Sequence, residues 1–210
     1  TIAASDIDNT NLEGATVAIT SGYVTGQDVL SFGTAGSISG TFIAGTLTLT
    51  GSATVADYNS ALRAVKFANN SENPTAGARN IQFTVTDGAT TSNALSRTLN
   101  VAAGNDAPVL ASLEATVIAY NENAGEVTLS ATIAASDIDN TNLAGATIAI
   151  TSGYATGQDV LSFVTAGTIS GSFNATNGTL TLSGSATVAD YNNALRAVKF
   201  ANNSENPTAG

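Results

Sequence analysis

Residues 1–77, from TIAASDIDNTNLEGATVAIT to ENPTAG, return almost unchanged at 132–210 as TIAASDIDNTNLAGATIAIT to ENPTAG. The two copies differ at about nine aligned positions and by a two-residue insertion at Thr176-Asn177. Most differences are mild: Ile148 stands for Val17, Thr168 for Ser37 and Ser183 for Thr50. Ala144 for Glu13 and Asn174 for Ile43 are the least conservative. A period of about 131 residues is too long for a solenoid repeat and suits a whole domain. Such a chain multiplies one folded part. It does not combine different activities.

Within the repeat, alternating runs recur about every ten residues: ATVAIT, DVLSF, SISGTF, TLTLTG, AVKFAN, NIQFTVTD and ALSRTLNVA. Gly, Asn and Asp punctuate them at SGY, GTAG, NATNG and DGATTSN. Short strands at regular spacing with turn signals predict an all-β sandwich or barrel. One stretch breaks the pattern. In ATVADYNSALRAV, Val55, Tyr58, Leu62 and Val65 recur at helical spacing behind a Thr54 cap, which predicts a short helix or helical turn with Asp57 in its first turn. Asp190 has the same place in the second copy.

The segment Gly104-Asn105-Asp106-Ala107-Pro108 is the expected module boundary, because Pro108 has no N–H for a central ladder. The expected modules are 1–106 and 107–210. The first then lacks a counterpart of 107–131, and the second lacks a counterpart of 78–106. With Thr1 at its start and Gly210 inside a pattern, the chain reads as part of something longer, with any signal or anchor outside it.

Composition narrows the function classes. There are 16 acidic and 6 basic residues, for a net charge of −10, and no His, Cys, Met or Trp. Nucleic acid and anionic membrane surfaces need a Lys/Arg footprint that this chain lacks. No run is long and apolar enough for direct membrane insertion. Without Cys there are no disulfides or thiolate sites, which fits an extracellular, cell-surface or secreted location. Without His or Cys there is no triad, and a carboxylate pair for glycoside hydrolysis would need an aromatic-rich cleft, so an enzyme is not expected.

The acidic residues gather at particular places. Asp6-Ile7-Asp8 with Asn11, and Asp137-Ile138-Asp139 with Asn142, follow a strand-like run. Asn105-Asp106 lies at the module boundary and Asp87 at the end of FTVTDG. Alternation turns Asp137 and Asp139 to one face and Ile138 toward the core. Carboxylates on one face repel unless a cation lies between them, and oxygen ligands without His or Cys select Ca2+. The same residues are also ordinary turn formers that bind their own backbone. For Asp28 and Asp159, in GQDVLSF, a turn or capping role is expected.

These motifs together, NENAG at 121–125, ASDID at 135–139, FTVTDG at 83–88, GNDAP at 104–108 and the LTLSGSATVADYNNALRAVKFANNS run, resemble the cadherin-like repeats of long bacterial surface adhesins, many with RTX-type C-termini. The resemblance implies tandem Ig/cadherin-like Greek-key β-sandwich modules that hold calcium at each junction. It implies that Asn105, Asp106, Asp137 and Asp139, with Asn142, line the one complete joint. Asp6, Asp8 and Asp87 would form the top of the first module, and Glu122 would look toward the next joint. The cadherin Asp-Arg-Glu motif is absent, and Glu72 is its nearest candidate. Fewer ligands imply fewer ions, or weaker ones in the ~0.1–1 mM range of extracellular modules.

The expected function is a structural spacer of a giant adhesin, with adjacent identical repeats as partners and cell-surface or matrix components beyond them. A self-assembling extracellular fibre and a carbohydrate- or protein-binding module are the alternatives, though no exposed aromatic platform stands out for glycans. Lys66 and Lys199 are expected to face solvent, and Tyr58 and Tyr191 the core. The sequons at 69–71, 174–176 and 202–204 are of a kind frequent by chance in an Asn/Thr/Ser-rich chain.

Overall fold

The computed structural model describes residues 2–33 and 36–207. The expected GTAG turn falls partly on residues 34 and 35, outside the described ones. The chain divides into two compact units, Thr1–Gly104 and Asn105–Gly210. Both are built of antiparallel strands with one short helix each, an all-β class among the described residues. Neither helix is long and apolar enough to cross a membrane.

Unit 1 comprises β1 (Asn11–Ser21), β2 (Asp28–Ser31), β3 (Ser39–Ile43), β4 (Thr46–Thr54), α1 (Val55–Ala64), β5 (Lys66–Asn69), β6 (Gly77–Thr86) and β7 (Leu95–Val101). Five of its strands form one sheet in the order β3-β4-β1-β6-β7, and β2 pairs with β5. β1 is central, and its residues Leu12, Ala15, Val17 and Ile19 are buried. They meet Leu47 and Leu49 of β4, Leu30 of β2 and Ile81 of β6. Full burial of side chains such as Val17 and Leu49 contributes about 1.5–3 kcal/mol each.

Unit 2 comprises β8 (Val109–Ala111), β9 (Val127–Thr128), β10 (Ala134–Ser136), β11 (Asn142–Ala149), β12 (Asp159–Ser162), β13 (Ser170–Asn174), β14 (Thr179–Thr187), α2 (Val188–Arg196) and β15 (Lys199–Asn202). Its ladders run β11-β14-β13, β12-β15-β9 and β10-β8. β11 repeats the pairing of β1 with β4, register shift included, when it pairs with β14.

The helix is the best-defined landmark of both units. Thr54 Oγ1 accepts the Asp57 N–H, and Asp57 Oδ2 accepts the Thr54 N–H, a reciprocal cap. Thr187 Oγ1 accepts the Asp190 N–H likewise. Tyr58 and Tyr191 are fully buried, and each hydroxyl donates to a glycine carbonyl, Gly51 or Gly184, at 2.7 Å. Gly51 has φ +126°, and a Cβ there would lie 2.2 Å from the Ser37 carbonyl oxygen, so the close approach of strand and loop requires glycine. Lys66 and Lys199 are exposed, as alternation predicts.

The turn reading of Asp28 captures only half its role. Asp28 Oδ2 does accept the Val24 N–H at 2.8 Å, but Asp28 is buried and also receives Arg79 Nε at 2.7 Å and Asn69 Nδ2 at 2.8 Å. Burial alone would raise the Asp28 pKa; the bonds from Arg79, Val24 and Asn69 outweigh it and hold the carboxyl below its ordinary value. The pair therefore adds stability above the unfolded Asp pKa of about 3.9, lost as pH falls through the depressed folded value.

Arg79→Ala strands a buried carboxylate and should destabilise unit 1 by about 3–5 kcal/mol in urea titrations. The loss should be smaller at a pH low enough to protonate Asp28.

Candidate functional site

In each unit the segment before the Asp-Ile-Asp motif is fixed by the helix. Asn59 Oδ1 accepts the Ala4 N–H and Asn59 Nδ2 donates to the Ala4 carbonyl. Asn192 makes the same two bonds to Ala135. Arg63 and Arg196 add a bond from Nε to the carbonyls of Ile2 and Ile133. The side-chain amide thus serves as a short stretch of ladder, and the chain leaves it straight into the acidic turn.

That turn is not an alternating strand. Asp137 Oδ1 accepts the N–H groups of Asp139 (3.2 Å) and Asn140 (2.8 Å), and Asp6 Oδ1 accepts those of Asp8 (3.2 Å) and Asn9 (2.9 Å). The side chain closes the turn over its own backbone. The expectation that Ile138 faces the core is accordingly corrected: Ile138 is 58% exposed and Ile7 fully exposed. The turn's backbone bonds, first that to Asn9 and first that to Asn140, hold the Asp6 and Asp137 pKa values below the ordinary one.

Around this turn unit 2 gathers four of the expected residues. Asp106 N–H donates to Asp139 Oδ2 at 2.9 Å. Asn140 Nδ2 donates to Asn105 Oδ1 at 2.8 Å and to Asp139 Oδ1 at 3.0 Å. Asn105 Nδ2 in turn donates to the Asp106 carbonyl. Asn105, Asp106, Asp137 and Asp139 therefore share one network, tied by Asn140, a residue that its place in the sequence does not single out. Unit 1 draws in a different member. Asn9, the counterpart of Asn140, donates to Asp87 Oδ2 at 3.4 Å, and the Asp87 charge opposes the ionisation of Asp6. Asp87 is itself held below its ordinary pKa, first by the Thr90 N–H and then by that of Ala89.

The remaining candidates lie apart. Asn142 opens β11 opposite Thr187. Glu72 is exposed in the loop before β6, whereas Asp87 comes just after the other end of that strand. Ten residues at ~3.3 Å each set the two ends of β6 about 30 Å apart. Glu72 thus cannot share an ion with Asp87. Glu122 is exposed in the turn closed by the Ala124 N–H on the Asn121 carbonyl, beside a shallow pocket lined by Asn123, Asn202 and Glu205. Glu205 is the counterpart of Glu72.

One acid with a clear task carries only a faint mark in the sequence. Glu114 receives the Ser130 hydroxyl and the N–H groups of Ala131 (2.8 Å) and Thr132 (3.0 Å). The Ser130 hydroxyl foremost, with the amides behind it, holds the carboxyl down at about 2. Its one signal is a lone charge in the apolar run PVLASLEATVIAY.

The turn-closing carboxylates of Asp6 and Asp137 are half-buried oxygen donors, each with one oxygen bound by backbone amides. Among the described residues, no three or more acidic side chains converge as a ready-made metal cage. The donor chemistry is that of a hard cation, with carboxylates and side-chain amide oxygens and no nitrogen or sulfur ligand. No family model, curated protein or solved structure matches the chain.

Asp137→Ala removes the acceptor that closes the turn. In hydrogen exchange the Asp139 and Asn140 amides should speed up roughly 3- to 10-fold, by the net worth of one hydrogen bond. The Leu180 and Leu182 amides should keep their rates.

Proposed function

We propose that the chain is a spacer segment of an extracellular adhesin, made of cadherin-like Greek-key sandwich modules that calcium stiffens where one repeat succeeds another. One observation carries this reading. The same Asp-x-Asp turn is built twice, and in each copy its Asn reaches for a residue from a module end: Asp87 in unit 1, Asn105 in unit 2. Superposed by the repeat, the two networks are parts of one arrangement with Asp6/Asp137, Asp8/Asp139, Asp87 and Asn105-Asp106 around a common turn.

On this reading Asp137, Asp139, Asp106 and the Asn105 side-chain oxygen hold the ion in unit 2, and Asp6, Asp8 and Asp87 in unit 1. Calcium supplies the charge that offsets the repulsion between carboxylates which the amide bonds keep ionised. Without it the acidic side chains repel one another, and the chain of net charge −10 loosens at its joints. Ligands contributed partly by turns and partly by the inter-unit segment make stiffness depend on the ion and leave the folded units themselves intact.

Small-angle scattering on the tandem chain should show a longer, better-defined maximum dimension in millimolar calcium than in EDTA. Asp137→Asn with Asp139→Asn should abolish the difference while leaving the urea midpoint of unit 1 in place. Identical dimensions with and without calcium would overturn the reading.

A further inference from the structure

The two copies differ most at one hairpin. In unit 1, β3 turns into β4 through Ala44 and Gly45, and Ile43 beside them is 70% exposed. In unit 2 the turn from β13 to β14 runs through four residues, Ala175 to Gly178, and Asn174 stands in place of Ile43. The insertion creates two triplets, Asn174-Ala175-Thr176 and Asn177-Gly178-Thr179, each with the Asn-x-Thr pattern of an N-glycosylation acceptor. The tip is exposed in both units, so the segments that one unit has and the other lacks do not cover it.

The pattern occurs four times, and the structure sorts the occurrences. In three the asparagine closes a turn, its Oδ1 accepting the N–H two residues on. Ser71 donates to Asn69 at 3.1 Å, Thr176 to Asn174 at 2.9 Å and Ser204 to Asn202 at 2.9 Å. The amide nitrogens differ. Asn69 Nδ2 donates to Asp28 Oδ1 at 2.8 Å and Asn202 Nδ2 to Asp159 Oδ1 at 2.7 Å, both against buried acids. Asn174 and Thr176 are exposed, and no hydrogen bond among the described residues uses Asn174 Nδ2 or the Thr176 hydroxyl. In the fourth triplet Gly178 is buried at φ +68°, where a Cβ would lie 2.8 Å from the Tyr154 ring. Its Thr179 is fixed in the sheet between Asn174 and Ala149.

We infer that Asn174 is the residue at which the folded chain accepts an N-linked sugar from a phosphate-activated glycosyl donor. Nδ2 attacks the anomeric carbon and a C–N bond forms. The bond from that carbon to the phosphate oxygen breaks, the phosphate group leaves with the electron pair, and the amide proton passes to a base of the transferase. The sugar would stand at the end of β13, an edge strand in the order β11-β14-β13, as β3 is in unit 1. A bulky hydrophilic group there hinders edge-to-edge pairing between near-identical copies. The inference shares an extracellular location with the proposed function, and calcium has no part in it.

The folded full chain, incubated in EDTA with a soluble, metal-independent asparagine glucosyltransferase and UDP-glucose, should gain one hexose on Asn174. Asn69 and Asn202 should take up at least about tenfold less, because each must first give up a hydrogen bond to a charged group. Free peptides of residues 66–73, 171–181 and 199–206 should all accept the sugar, which makes the selection a property of the fold. Asn174→Gln should lose the label and keep the urea midpoint. Mass mapping of the protein from its own source should find sugar on Asn174 and none on Asn69 or Asn202. A bare Asn174 in either preparation, or equal labelling of Asn69 or Asn202 in the folded chain, would overturn the inference.

Discussion

The side-chain amide of Asn59, and of Asn192 in the second unit, bonds to both the N–H and the carbonyl of one backbone residue, Ala4 or Ala135. Much of each unit hangs on that pair. The helix carrying the asparagine is fixed by its buried tyrosine and its threonine cap, so the amide is presented at a set height above the sheet. The segment it grips runs two residues further into the Asp-x-Asp turn. A carboxylate that closes a turn over its own backbone needs a defined point of entry, and the asparagine provides it. The acidic networks are thus positioned from the core outward, through a neutral group that keeps its geometry whatever the ionisation of the acids.

Much of this is legible in the residues. The alternating runs correspond to β1 through β7, and the Val55-Tyr58-Leu62 spacing marks the short helix α1. Local periodicity reports which face a residue takes, and it succeeds wherever the backbone is a regular strand or helix. It fails at Ile7 and Ile138, where aspartate side chains capture backbone amides and cancel the alternation that the residue types suggest. Nor does it register pairings distant in sequence. Asp28 reads as a turn residue from its neighbours, because nothing near it in GQDVLSF announces an arginine in another strand. Asn140 and Glu114 escape for the same reason: their roles lie in which chain segment they reach.

The placement of charge separates two kinds of carboxylate. Asp28 and Asp159 are buried and structural, each enclosed by an amide N–H, an asparagine and, for Asp28, an arginine. Asp6, Asp87 and Asp137 are held by backbone N–H groups that favour their charged form without neutralising it. Hydrogen bonds of this kind lower a pKa but leave the net charge in place. Several such groups close together raise the local potential, and a divalent cation that joins them meets carboxylates already free of protons. An acidic turn pre-ionised in this way is suited to respond to divalent ions near neutral pH.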